Sequence, residues 1–295
     1  MAEGRIMGTS RAQGSRTNPS RLDTTSRRWR QPGGFTLIEL LVVMSIISVL
    51  ASMLLPSLSR AKERGVMINC VNNLRQIGIS VRLYSDDFLD HFPPDEVVDP
   101  YDQANKTLPK ITDSALGGFD PTRNLKSVYP SAKARPLYGY ITPSRVYACT
   151  RDKGQMWSAP SNFENIGCSY QYNAGRLSTL NSGGFKVPAE DRIHGIGGKP
   201  ESWVPTPVRY ILLHEPPARL YGGPIGGVPP QWYQWHYNRG RVMFNDPKPA
   251  PNLFISPVAF VDGHVAQHNF TKSLANDPYF PYEPTADWIW YKPLQ

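Results

Sequence analysis

Three cysteines in 295 residues are too few to build a disulfide scaffold. Charged residues make up only 19% of the chain while 40% are hydrophobic, which excludes wholesale disorder. There is no G-x-S-x-G elbow, no H-E-x-x-H pair and no C-x-x-C, so these hydrolase, zinc-protease and redox signatures are missing. Gly195-Ile196-Gly197-Gly198-Lys199-Pro200 lacks the spacing and the Ser/Thr of a phosphate loop, and Pro200 spoils the helix that would have to follow. His264 and His268 would suit a metal ion on a helix, but on a strand they lie about 13 Å apart and cannot share one. His214-Glu215 runs into Pro216-Pro217 and reads as the end of a strand, with a buried or edge histidine. No enzyme is expected.

The net charge is +8, and its position decides what it means. Residues 1–34 hold seven arginines against two acids, a net +5, which leaves +3 for the other 261 residues. That first segment has no apolar periodicity and reads as a flexible basic tail. No nucleic-acid partner is expected for the remainder.

After the tail comes Phe35-Thr36-Leu37-Ile38-Glu39, and then an uncharged run over 40–59 whose one break is Pro56. As a helix, residues 35–55 would span about 30 Å, the thickness of a bilayer core. The arginines before it predict a single pass with the N-terminus cytoplasmic. An ordinary secretory signal is shorter, carries no glutamate and ends in small residues, whereas this run continues into Leu54-Leu55-Pro56. Glu39 is costly in lipid, by about 2.5–3.5 kcal/mol at mid-bilayer, so it needs either the tolerance of the helix N-terminus or a cationic partner.

Gly33-Gly34-Phe35-Thr36-Leu37-Ile38-Glu39-Leu40-Leu41-Val42-Val43 resembles the class III signal of type IV pilins and type II secretion pseudopilins. The resemblance implies that a prepilin peptidase cuts after Gly34 and methylates Phe35. It further implies that Glu39 pairs with the Phe35 amine of a neighbouring subunit during assembly. The partners it implies are the peptidase, further copies or other pseudopilins, and the inner-membrane platform of a secretion or pilus system. The head would lie in the periplasm, or outside the cell after assembly.

Proline marks where the helix ends. Of the 29 prolines, 26 lie in 93–295 and none in 57–92, followed by Pro93-Pro94. Met67, Cys70 or Val71, Leu74, Ile77, Val81, Tyr84 and Phe88 step by three or four, which predicts an amphipathic continuation over 56–92 with Cys70 as a small packing residue. Asn69-Cys70-Val71-Asn72-Asn73-Leu74-Arg75-Gln76-Ile77-Gly78 and Phe92-Pro93-Pro94 resemble pseudopilin-like proteins abundant in planctomycetes. Those proteins often end in a histidine, nine residues and Asp-Gly; here Asp262-Gly263 is present but Asn252 stands at the histidine position.

For the head, 93–295, short strands are predicted at 145–149, 168–172, 208–214, 241–244, 258–261 and 264–267. The last two flank Asp262-Gly263 as a two-residue hairpin that sets Phe260 beside Val265 and Val261 beside His264. No helix is expected beyond residue 95. The fold class is therefore α+β, a long N-terminal hydrophobic helix packed on an antiparallel sheet with long loops. Cys149 and Cys168, at the end of one predicted strand and the start of the next in an oxidising compartment, form a candidate disulfide. No cofactor is expected, with calcium the one ion to weigh, because Asp86, Asp87, Asp90, Asp95, Asp99 and Asp102 cluster after the helix. The aromatic stretch 232–237 supports an alternative function, a membrane-anchored carbohydrate- or surface-binding module that borrows pilin processing.

Overall fold

The computed structural model describes residues 35–152, 161–174, 195–215, 235–236, 255–272 and 286–289. The chain divides into two compact units, Met1–Met53 and Leu54–Gln295. The apolar run forms the start of a single helix, α1 (Leu37–Asp87), which continues through Pro56. In the first unit the side chains from residue 35 to residue 50 are all exposed.

In the second unit α1 becomes one-sided. It buries Met67, Cys70, Leu74, Ile77, Ser80, Val81 and Ser85, a stripe with the three- and four-residue steps of a helix packed on a core. Phe88, placed on that stripe by its spacing, lies beyond the helix end and is half exposed. The stop comes a few residues before Pro93-Pro94. Leu89 and Asp90 take positive φ, 54° and 58°, and the Asp90 N–H donates to the Ser85 carbonyl at 2.9 Å, using one of the carbonyls a helix end leaves open.

The head is α+β. β1 (Glu96–Val98) and β2 (Pro109–Ile111) make an antiparallel ribbon. β3 (Gln171–Tyr172), β4 (Ile211–His214), β5 (Ile255–Phe260) and β6 (Val265–Asn269) form a four-stranded antiparallel sheet in that order. β4 is buried at all four positions. Leu74, Ile77 and Val81 of α1 share one core with Tyr147, Tyr172, Tyr210, Leu213 and Trp235.

Three expectations are corrected here. Residues 145–149 do not form a strand: Arg145–Tyr147 is a 3-10 turn, because Tyr147 and Ala148 direct their N–H groups back to Ser144 and Arg145 instead of across a ladder. A helix does occur after residue 95, α2 (Asn162–Ile166), closed by a capping box between Ser161 and Glu164 and ended by Gly167 at φ 89°. The hairpin register is shifted by one. Ala259 faces Val265, and the Phe260 N–H bonds to the His264 carbonyl at 2.9 Å, so Val261, Asp262 and Gly263 form a three-residue loop with Gly263 at φ 92°. Phe260 stacks on His264 as a result, with ring centroids 4.3 Å apart. The strand expected at 241–244 lies outside the described residues.

Buried polar groups hold the irregular loops. Lys110 on β2, fully buried, donates to Asp99 at 3.2 Å and to Asp102 at 2.6 Å. Asp99 also accepts from the N–H and hydroxyl of Ser131, which ties the segment after β1 to the one before Ala132–Ala134. Arg135, also buried, satisfies the carbonyls of Pro130, Gly117 and Ile166, and burial lowers its pKa to about 10. The Lys110 hydrogen bond, helped by Asn105, holds the Asp102 carboxyl down at about 2. A carboxyl depressed in the folded state stabilises the fold above the ordinary carboxylate range, and that contribution is lost as pH falls through about 2. A carboxyl titration followed by 13C NMR should find Asp102 at about 2, and in Lys110→Met near the ordinary value of about 3.9. A wild-type midpoint in the ordinary range would contradict the pairing.

Candidate functional site

The first turn of α1 is built around Glu39. Thr36 precedes the helix, and its backbone N–H and hydroxyl both donate to Glu39 Oε2, at 2.9 and 2.7 Å. The Thr36 hydroxyl oxygen accepts from the Glu39 N–H at 3.3 Å. Thr-x-x-Glu is thus a reciprocal capping box that satisfies N–H groups otherwise left open where the helix begins. Phe35 is exposed beside it, while Gly34 and the basic leader lie outside the described residues.

Beyond that turn the polar side chains of the apolar stretch turn inward on the backbone. Ser45, Ser48, Ser52 and Ser57 each donate their hydroxyl to a carbonyl three or four residues earlier, at 2.7–2.8 Å. Hydrocarbon offers no hydrogen-bond partner, so a helix with its hydroxyls satisfied internally is suited to lipid. α1 is long and apolar enough to cross a membrane, and none of its most apolar window is buried by the protein.

A second group of reactive side chains lies in the head. Cys70 on α1, Cys149 after the 3-10 turn, Glu215 after β4 and His236 are all buried, with ligand-type atoms within 4.8 Å of one another. Cys70 Sγ is 3.2 Å from Cys149 Sγ, Cys149 Sγ is 3.6 Å from His236 Nε2, and His236 Nε2 is 2.7 Å from Glu215 Oε2. The contact with Cys149, and with it His236, draws the Cys70 thiol below its usual value against burial and the Glu215 charge. The same contact with Cys70, then burial and Glu215, push the Cys149 thiol far up. Burial opposes a charge on His236, but hydrogen bonds to Cys70 and Glu215 outweigh it and lift the ring to about 10.

This arrangement revises the reading of the cysteines. All three are free thiols, and Cys149 meets Cys70, not Cys168, whose sulfur donates to the Tyr170 carbonyl at 3.2 Å. The sequence missed Cys70, Glu215 and His236 as partners because each comes from a different part of the chain. Cys70 and Cys149 are 79 positions apart and Glu215 and His236 are 21 apart, so no local spacing announces them.

Four of the six aspartates weighed for calcium have protein partners. Asp99 and Asp102 hold Lys110, Asp86 lies 3.5 Å from Arg82, and Asp87 accepts from the Tyr140 hydroxyl at 2.8 Å. Of the aromatic stretch, Trp235 is buried in the core and is not available to stack on a sugar; Trp232, Tyr233 and Tyr237 lie outside the described residues.

Residues 29–55 match the family model of the prokaryotic N-terminal methylation motif. No curated protein and no solved structure matches the chain. The chain therefore carries a prepilin-type methylation motif followed by a long apolar helix, as a pilin- or pseudopilin-like protein does, and the motif marks it as a substrate of prepilin peptidase.

Peptide mapping under non-reducing conditions, with thiols alkylated during unfolding, should recover Cys168 as an alkylated thiol. A peptide linking Cys149 to Cys168 would contradict the arrangement.

Proposed function

We propose that this chain is a structural subunit of a type II secretion or type IV pilus-like fibre, with no catalytic role of its own. It is synthesised with the leader 1–34 in the cytoplasm, cut after Gly34 and methylated at Phe35. Residues 35–55 then hold it in the bacterial inner membrane, with the head on the periplasmic side. The observation that carries this reading is the methylation motif at residues 29–55, set directly on a helix whose first fourteen residues, 37–50, are all exposed. The arginine-rich leader supports the orientation, since positive charge stays on the cytoplasmic side.

Assembly is an electrostatic problem as well as an apolar one. Cleavage creates an amine on Phe35, and Glu39 lies four residues on; each charge alone in hydrocarbon is unfavourable. Setting the Glu39 carboxylate of one subunit against the Phe35 amine of the next removes both unpaired charges together. The capping box supports this role, because Thr36 fixes the carboxylate at the very start of the helix, on the side where the new amine is formed.

Glu39→Gln separates the two duties of this residue, since glutamine can still close a capping box but carries no charge. The variant should insert and be cleaved as the wild type is, yet be lost from sheared fibres by at least about tenfold, the effect of about 1.4 kcal/mol per contact. Fibre incorporation equal to wild type would overturn the proposed pairing.

A further inference from the structure

The buried cluster of Cys70, Cys149, Glu215 and His236 is used neither by the processing motif nor by the proposed assembly contact. We propose that these four side chains bind one divalent transition-metal ion of the zinc class, as a closed structural site that ties α1 to the end of β4 and to the loops around it. The donors are two sulfurs, an imidazole nitrogen and a carboxylate oxygen. Thiolate and imidazole together select zinc and its neighbours over calcium or magnesium, which take oxygen ligands.

The spacing is near that of a tetrahedron. With metal–sulfur bonds of about 2.3 Å and metal–nitrogen or –oxygen bonds of about 2.0–2.1 Å, the ligand atoms of a tetrahedral ion lie about 3.3–3.8 Å apart. The observed separations are 3.2 Å for the two sulfurs, 3.6 Å for Cys149 to His236 and 2.7 Å for His236 to Glu215. Opening the shorter contacts by about 0.6 Å reaches the geometry of such a site. All four residues are buried, so no position is left open to solvent, as in structural sites.

Glu215 gives an independent reason to expect a cation. It is fully buried, and among the described residues its Oε1 has no hydrogen-bond partner. A buried carboxylate oxygen without a donor or a metal is costly, and His236 reaches only Oε2. The surroundings also resemble the outer shell that orients metal ligands. With Nε2 of His236 directed into the cluster, Nδ1 lies 3.6 Å from Glu63 Oε1, and Glu63 is itself paired with Arg151. The Arg151 N–H donates to Cys149 Sγ at 3.4 Å, and the Cys149 N–H donates to Ser169 Oγ at 3.0 Å. Binding releases the protons of the two thiols and the Nε2 proton of His236 to solvent, so uptake is coupled to proton release.

The competing outcome is a disulfide between Cys70 and Cys149, which an oxidising compartment would permit. It would join two of the four residues and leave Glu215 Oε1 without a partner among the described residues. The test uses the full chain purified in detergent, and its readout does not depend on fibre assembly. Metal analysis should find about one zinc per chain, and exchange into Co2+ should give a thiolate-to-cobalt charge-transfer band. Cys70→Ser and Cys149→Ser should each weaken or abolish that band. Glu63→Gln, a change in a positioning residue, should keep the band and lower affinity for Co2+ about 10–100-fold. The proposal is overturned by a fully reduced wild-type chain that takes up no Co2+ or binds it without a thiolate band. It is equally overturned if wild-type Cys70 and Cys149 are recovered joined as a disulfide.

Discussion

A single helix runs from Leu37 to Asp87, and it has to serve two surroundings. Over the first part the protein covers none of the side chains, and the serine hydroxyls close on their own backbone. From Met67 the same helix presents one buried stripe that is part of the head's core. Apolar surface left in water costs about 25 cal/mol per Å2, so a helix that opens with fourteen consecutive exposed, mostly apolar residues requires a cover from outside the chain. Lipid before assembly and neighbouring helices after it are the covers that the proposed function supplies.

The head has little regular structure with which to hold its end of that helix. β3 has two residues and β4 has four, so the ladder alone fixes few of the loops. Their shape comes instead from buried polar centres whose donors and acceptors lie far apart in the chain. Lys110 gathers Asp99 and Asp102, and through Asp99 the backbone at Ser131; Arg135 gathers three carbonyls. Such centres stabilise only when nearly all their groups are paired. In the cluster at Cys70 one carboxylate oxygen is bare among the described residues, which is why a bound cation completes it in a way that further packing would not.

What the sequence makes legible follows from range. The processing motif, the apolar helix and its buried stripe are local or periodic, and each was readable from Phe35 to Val81. The helix end was placed slightly late because proline marks where a helix can no longer run, while Leu89 and Asp90 had already left helical geometry. The Asp262-Gly263 turn was correctly located, but its register slipped by one because Gly263 alone adopts the left-handed conformation, which gives a three-residue loop. Ser161 and Glu164 carried a capping-box signature for α2, but a helix of five residues is too short to show an apolar period. The cluster of Cys70, Cys149, Glu215 and His236 was illegible for a different reason: only the folded chain brings these separate elements together.

The central claim is that the chain matures by prepilin-type processing at the start of α1. Intact-mass and N-terminal peptide mass spectrometry of the protein extracted from native membranes tests it most directly. The account predicts a chain that begins at Phe35 and carries one methyl group on the Phe35 amine. A chain that retains Met1, or one that begins beyond residue 50, would contradict it.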